Sequence, residues 1–159
     1  MDTNHDLKCL AELELQIGKR INEFNSKRAE NQKYNRCYSL AHILLGALTT
    51  LLIAVNSKLS LFPITVITMT TSTLASVAGQ LLSTYMYKER LTMNIATICA
   101  LYELSHAITM DKRKQEDDKE KHKITLEKVE SYNSQYQQIL NSANGQWQNY
   151  FQQTKTSKK

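Results

Sequence analysis

The stretches CYSLAHILLGALTTLLIAV (residues 37–55) and ITVITMTTSTLASVAGQLLSTY (residues 64–85) decide how the rest of this chain is read. The first lies between Arg36 and Lys58 and the second between Lys58 and Lys88, and neither contains a charged side chain. Each has about the length a helix needs to cross ~30 Å of hydrocarbon at 1.5 Å per residue. A backbone in lipid must satisfy its own hydrogen bonds, so two helices joined by a short turn are the economical arrangement. Tyr34, Tyr38, Tyr85 and Tyr87 stand at one pair of ends and Phe62 near the other, the places where aromatic rings anchor a span. A soluble helix pair would show a charged stripe, and these runs have none. The sequence therefore predicts an all-α fold built on a two-helix transmembrane hairpin.

Between the runs, NSKLSLFP at 56–63 supplies the turn, and Pro63 suits the first turn of the second helix, where its missing N–H costs nothing. Lys27, Arg28, Lys33 and Arg36 precede the first run, and Lys88 and Arg90 follow the second, while Lys58 alone marks the connection. The positive-inside rule then places both termini in the cytoplasm and the short loop outside, in a cytoplasmic membrane. The chain opens MDTNHDLKCL, polar and without a small-residue cleavage site, so no cleaved leader is expected.

Outside the hairpin the 159-residue chain is strongly polar, which brings its mean hydropathy to −0.44. The net charge of +5 is thinly spread: residues 1–36 hold seven basic and six acidic side chains, and residues 88–159 hold twelve and nine. A mixed surface of this kind, without interleaved aromatics, is not a nucleic-acid patch. Cys9, Cys37 and Cys99 share no ligand-like spacing, and no metal is expected. No glycine-rich phosphate loop and no nucleophile beside a base are present, so neither an enzyme nor a cofactor is expected.

The flanks read as amphipathic helices within a single domain. Over 6–30, Leu10, Leu13, Ile17, Ile21 and Phe24 recur at three- and four-residue steps. The second span, 64–87, continues as a helix to about 110, with Leu91, Ile95, Ile98, Leu101, Leu104 and Ile108 in period. The charge run DKRKQEDDKEKHK at 111–123 is either an exposed helix or the turn that folds the last helix back. A last helix over 118–152 presents Val129, Tyr132, Tyr136, Ile139 and Trp147 on one broad face. These apolar faces are expected to pack into a helical bundle and to form the seam of an oligomer or a docking surface for a cytosolic partner.

Within the spans, Thr65, Thr68, Ser72, Ser76, Gly79 and Ser83 recur at helical spacing, with Gln80 beside them. On the first span Gly46, Thr50 and Ala54 form small-xxx-small steps that let helices approach closely. The polar stripe lines a water-filled path if several copies assemble, or else it packs helix against helix. His42, about one turn inside the span, is an ionisable intramembrane side chain and hence a candidate gate.

With KRINEFNSKRAENQKYNRCYSL (19–40) leading into the paired spans and YKERLTMNIATICALYEL (87–104) leaving them, the layout is similar to the SLATT family. These are two-transmembrane effector domains of bacterial nucleotide-signalling conflict systems. The resemblance implies an oligomeric pore or membrane-disrupting effector that arrests or kills an infected cell. It implies a trigger from a partner of the same operon, such as a second-messenger synthase or a nucleotide-sensing protein. A phage holin and a non-conducting scaffold that recruits a cytosolic partner are the competing readings.

Overall fold

The computed structural model describes the backbone of residues 3–156 and the side chains of 8–145 and 148. The described residues are all-α, without strands: α1 (Thr3–Leu59), α2 (Phe62–Tyr85), α3 (Tyr87–Asp117) and α4 (Leu126–Thr156). The expected segments 6–30 and 37–55 are thus parts of one uninterrupted helix, since 31–36 contains neither Pro nor Gly to break it. Two compact units emerge. One comprises residues 29–91 and is called here the hairpin unit; the other joins the chain before Ala29 to the chain after Leu91 and is called the terminal unit.

Both ends of α2 have local causes. At its start Ser60 takes a left-handed conformation (φ 48°), and Pro63 occupies the first turn. The Asn56 side chain ties the turn together, accepting from the Leu61 N–H at 3.0 Å and donating to Thr65 Oγ1 at 2.8 Å. At the other end the left-handed residue is Met86 (φ 49°, ψ 43°), whose N–H still bonds the Leu82 carbonyl. A non-glycine residue in this region costs on the order of 1–2 kcal/mol, so the break between α2 and α3 is held by its surroundings. The run expected from 64 to about 110 is therefore two helices.

In the terminal unit three helical segments share one apolar core. Leu10, Leu13, Ile17 and Ile21 of α1 meet Leu101, Leu104 and Ile108 of α3 and Val129, Tyr132 and Tyr136 of α4. Leu10, Ile17, Leu101 and Ile108 are almost wholly buried, and each contributes roughly 1.5–3 kcal/mol by leaving water. Phe24, Ile139 and Leu140 pack on its margin. Of the residues expected to form a seam or docking surface, Leu10, Ile17, Ile21, Val129, Tyr132 and Tyr136 are buried within the chain. Trp147 lies outside the described side chains.

The charge run divides. It is helical up to Asp117, and the chain turns back before Leu126. Thr125 caps α4, its Oγ1 accepting from the Lys128 N–H at 3.4 Å, while Ile124 before the cap and Val129 after it both enter the core. That pairing of a capping hydroxyl with flanking apolar residues fixes where a helix starts, and it moves the start of the last helix from the expected 118 to 126.

Candidate functional site: the two faces of the hairpin

Three cross-helix contacts give the register of the hairpin. Asn56 meets Thr65 near the turn, Thr49 Oγ1 donates to Thr71 Oγ1 at 3.1 Å, and His42 Nδ1 lies 2.9 Å from the Ala75 carbonyl oxygen. Numbers falling on α1 as they rise on α2 describe an antiparallel pair. The α1 contact line is therefore Tyr38, His42, Leu45, Thr49, Leu52 and Asn56, alternating steps of four and three. On α2 the buried residues are Thr71, Ala75 and Ala78.

His42 has a made seat. A Cβ placed on Gly79 would stand 3.2 Å from the imidazole ring, so the missing side chain is what lets the ring reach the Ala75 carbonyl. The ring donates through Nδ1 to an oxygen that also belongs to the helix ladder of α2.

The expected stripe is not on this contact line. Ser72, Ser76 and Ser83 are exposed, about a quarter turn from Thr71, Ala75 and Ala78 at 3.6 residues per turn. Thr68 and Gly79 sit at the edge between the two lines, Thr65 is taken up by the turn, and Gln80 is exposed on the far side of α2. The small residues of α1 behave alike. Thr49 rather than Thr50 meets α2; Thr50 donates to its own Gly46 carbonyl at 3.1 Å, and open space surrounds the Gly46 Cβ position. Gly46, Thr50 and Ala54 therefore do not close the hairpin.

Both stripes are displaced from the contact line in the same rotational sense. For two right-handed helices running antiparallel, equal displacements land on the same side of the pair. One face of the hairpin thus carries Gly46 and Thr50 of α1 with Ser72, Ser76 and Ser83 of α2, and His42 lies at its edge. The opposite face carries Leu44, Leu48 and Val55 with Ile67 and Leu74, each between 44% and 59% exposed. The result is a pair of helices with one side rich in small and hydroxyl-bearing residues, shared by the exposed Ile53, and one side richer in aliphatic residues. Four residues that sequence reasoning missed as contacts are Thr49 of α1, which lies on the four-three spacing that begins at Tyr38, and Thr71, Ala75 and Ala78 of α2, which repeat at steps of four and three.

At the end opposite the turn, Tyr34, Tyr38, Tyr85 and Tyr87 gather. Tyr87 stacks on Tyr34, Tyr38 and Tyr85 with ring centroids 5.7, 5.9 and 5.6 Å apart. Residues two apart in a helix point to opposite sides, so Tyr85 and Tyr87 can stack only because Met86 between them is left-handed.

The terminal unit holds the polar cluster of Asp111. Its carboxylate accepts from Lys128 Nζ at 2.7 Å, from Lys114 Nζ at 3.3 Å and from the Tyr132 hydroxyl. Lys128 first, with Tyr132 and Lys114, holds the Asp111 carboxyl well below the usual carboxylate range, and burial beside Asp111 pushes the Tyr132 phenol up, so it stays a donor. Lys112 of α3 also bridges to Glu14 of α1 at 2.6 Å. These contacts staple three helices. Between α3 and α4 runs an open groove of about 510 Å³, walled by Ala96, Ala100, Glu103 and Ala107 against Gln135 and Ser142. Among the described residues no cluster of His, Cys, Asp and Glu has the grouping of a metal site, and Cys9, Cys37 and Cys99 are free.

Comparison with family models, with curated proteins and with solved structures returns no match.

The weight therefore rests on the hairpin. Two helices are long and apolar enough to cross a membrane, with windows of mean hydropathy 1.9 and 1.2, and 0% and 17% of those windows buried. The core helix of a soluble protein that passes such a test is mostly buried, whereas the first of these windows has no fully buried residue.

Proposed function

We propose that this chain is a bacterial inner-membrane effector of an antiphage or conflict system, of the SLATT type. On triggering by an operon partner or a nucleotide signal, copies of the hairpin assemble and open a pore or disrupt the membrane. The two-faced hairpin carries the reading. The aliphatic face suits lipid, where Leu, Ile and Val are favoured. The opposite face, Gly46, Thr50, Ser72, Ser76 and Ser83, suits close contact between copies in a closed state and a wetted lining in an open one. The basic residues at the ends away from the turn put both termini in the cytoplasm, with the terminal unit there to receive the trigger. No chemistry is asked of any residue, so the activity is non-enzymatic.

The test is expression of Ser72→Leu/Ser76→Leu and Ser72→Ala/Ser76→Ala in cells whose membrane potential is followed. Leu is better tolerated by lipid than Ser, so the Leu pair inserts normally, and depolarisation and toxicity are lost. The Ala pair keeps size and removes hydroxyls: near-normal toxicity assigns the face to packing, and impaired toxicity assigns it to a wetted path. A Leu pair that sits in the membrane and still depolarises cells would remove Ser72 and Ser76 from the working face, and a native chain that leaves the potential unchanged would overturn the pore in favour of the scaffold.

A further inference from the structure

The tyrosine cluster and the basic residues stand at the same end of the hairpin unit. Lys33 and Arg36 of α1 are exposed there, and Lys88 is exposed beside Arg90 at the start of α3, with Glu30 and Glu89 as the opposing carboxylates. The other end has Lys58 alone. Four phenol rings are pulled into one stack at this level, and the chain accepts a left-handed Met86 to bring the last two together. Amphipathic rings settle at headgroup depth. An excess of cations at that depth meets the phosphates of anionic lipids, whose attraction decays within about a Debye length.

We infer that this tyrosine-and-cation collar binds the headgroups of anionic phospholipids. The inference rests on the membrane reading above and adds a lipid class to it. The stack sets the depth of the collar by spanning α1, α2 and the first residue of α3, so the cations flanking both helices of the hairpin act at one level. The occupant is a phospholipid rather than a free phosphate, because the collar is continuous with the apolar hairpin that would hold the acyl chains.

The full-length chain is reconstituted in phosphatidylcholine bilayers containing phosphatidylglycerol, and spin-labelled forms of each lipid report the motionally restricted fraction by electron paramagnetic resonance. Phosphatidylglycerol is expected to be preferred by at least about five-fold, the factor that each of the collar's two net cations confers near the surface. Lys33→Gln/Arg36→Gln brings the ratio toward one, as does 0.5 M salt, which shortens the Debye length to about 4 Å, whereas Lys58→Gln leaves it unchanged. Equal restriction of both lipids by the native chain, or a preference that survives the double substitution, would overturn the proposal while leaving the membrane reading intact. Loss of the preference to inorganic phosphate at constant ionic strength would make a small anion the ligand and overturn it too. Absence of any restricted lipid would remove the membrane reading and this inference together.

Discussion

Asp111 is the residue on which the terminal unit's helices converge electrostatically. Its side chain is only 18% exposed, and it accepts from two residues of α4 as well as from Lys114 of its own helix. Hydrogen bonds to a charged group contribute about 1.5–3 kcal/mol, so Asp111→Asn is expected to destabilise the unit by roughly 2 kcal/mol. The sign of the pH effect follows from the depressed carboxyl. In the unfolded chain Asp111 takes protons near its ordinary value, and in the folded chain only well below it. Its stabilisation is therefore complete above about pH 4 and drains away as pH falls further. Thermal melts of the native chain should lose stability from pH 4 to pH 2, and Asp111→Asn should flatten that segment. An unaltered slope in the variant would remove Asp111 from its role. None of this was legible in the sequence, where Asp111 is one acid at the edge of a run of charges. Only the turn at 118–125 brings Lys128 and Tyr132 back to it.

Helices carry the next lesson. The apolar runs, the turn at Pro63 and the three- and four-residue periods of the flanks are local patterns, and they translate into elements because helix burial repeats along a sequence. Which side of a helix meets its neighbour is a different quantity. The stripe from Thr65 to Ser83 was visible, but the contact line a quarter turn away depends on Asn56, Thr49 and His42, which lie 9, 22 and 33 residues before their partners, and could not be read from α2 alone. Helix ends were hidden for a similar reason: Met86 is an ordinary residue whose left-handed backbone answers to the tyrosine stack. The hairpin register is open to a direct check. With the native cysteines replaced by Ser, Thr49→Cys/Thr71→Cys should cross-link under mild oxidation, so that trypsin cleavage at Lys58 leaves the two fragments joined. Thr50→Cys/Thr71→Cys should release them. Equal release from both pairs would show that another line closes the hairpin.

At the scale of the molecule, the two compact units should fail separately, because the apolar core lies wholly in the terminal one. Tyr136 is 3% exposed in the terminal core, and an unpaired carboxylate there costs several kcal/mol. Tyr136→Asp/Ile139→Asp is therefore expected to unfold the terminal unit, seen as loss of helical circular dichroism and rapid proteolysis of α4. The Thr49–Thr71 cross-link, made in the other unit, should still form. Retained protease resistance in the double variant would mean that the α4 face is not the core of this unit. A change in oligomer size in that variant follows from unfolding and does not report on a seam between chains.

The turn of the hairpin has a consequence for how the chain comes to be where it works. Only Ser60 and Leu61 separate α1 from α2, and Asn56 already satisfies the Leu61 N–H and the Thr65 hydroxyl. A protein that must send a long hydrophilic segment across a bilayer depends on machinery to haul it through. If the hairpin crosses a membrane as proposed, the part to be carried over is a turn of a few residues, braced by Asn56, with a single lysine, Lys58. On that reading the two helices would enter together, tip first, and the polar flanks would stay on the side of synthesis.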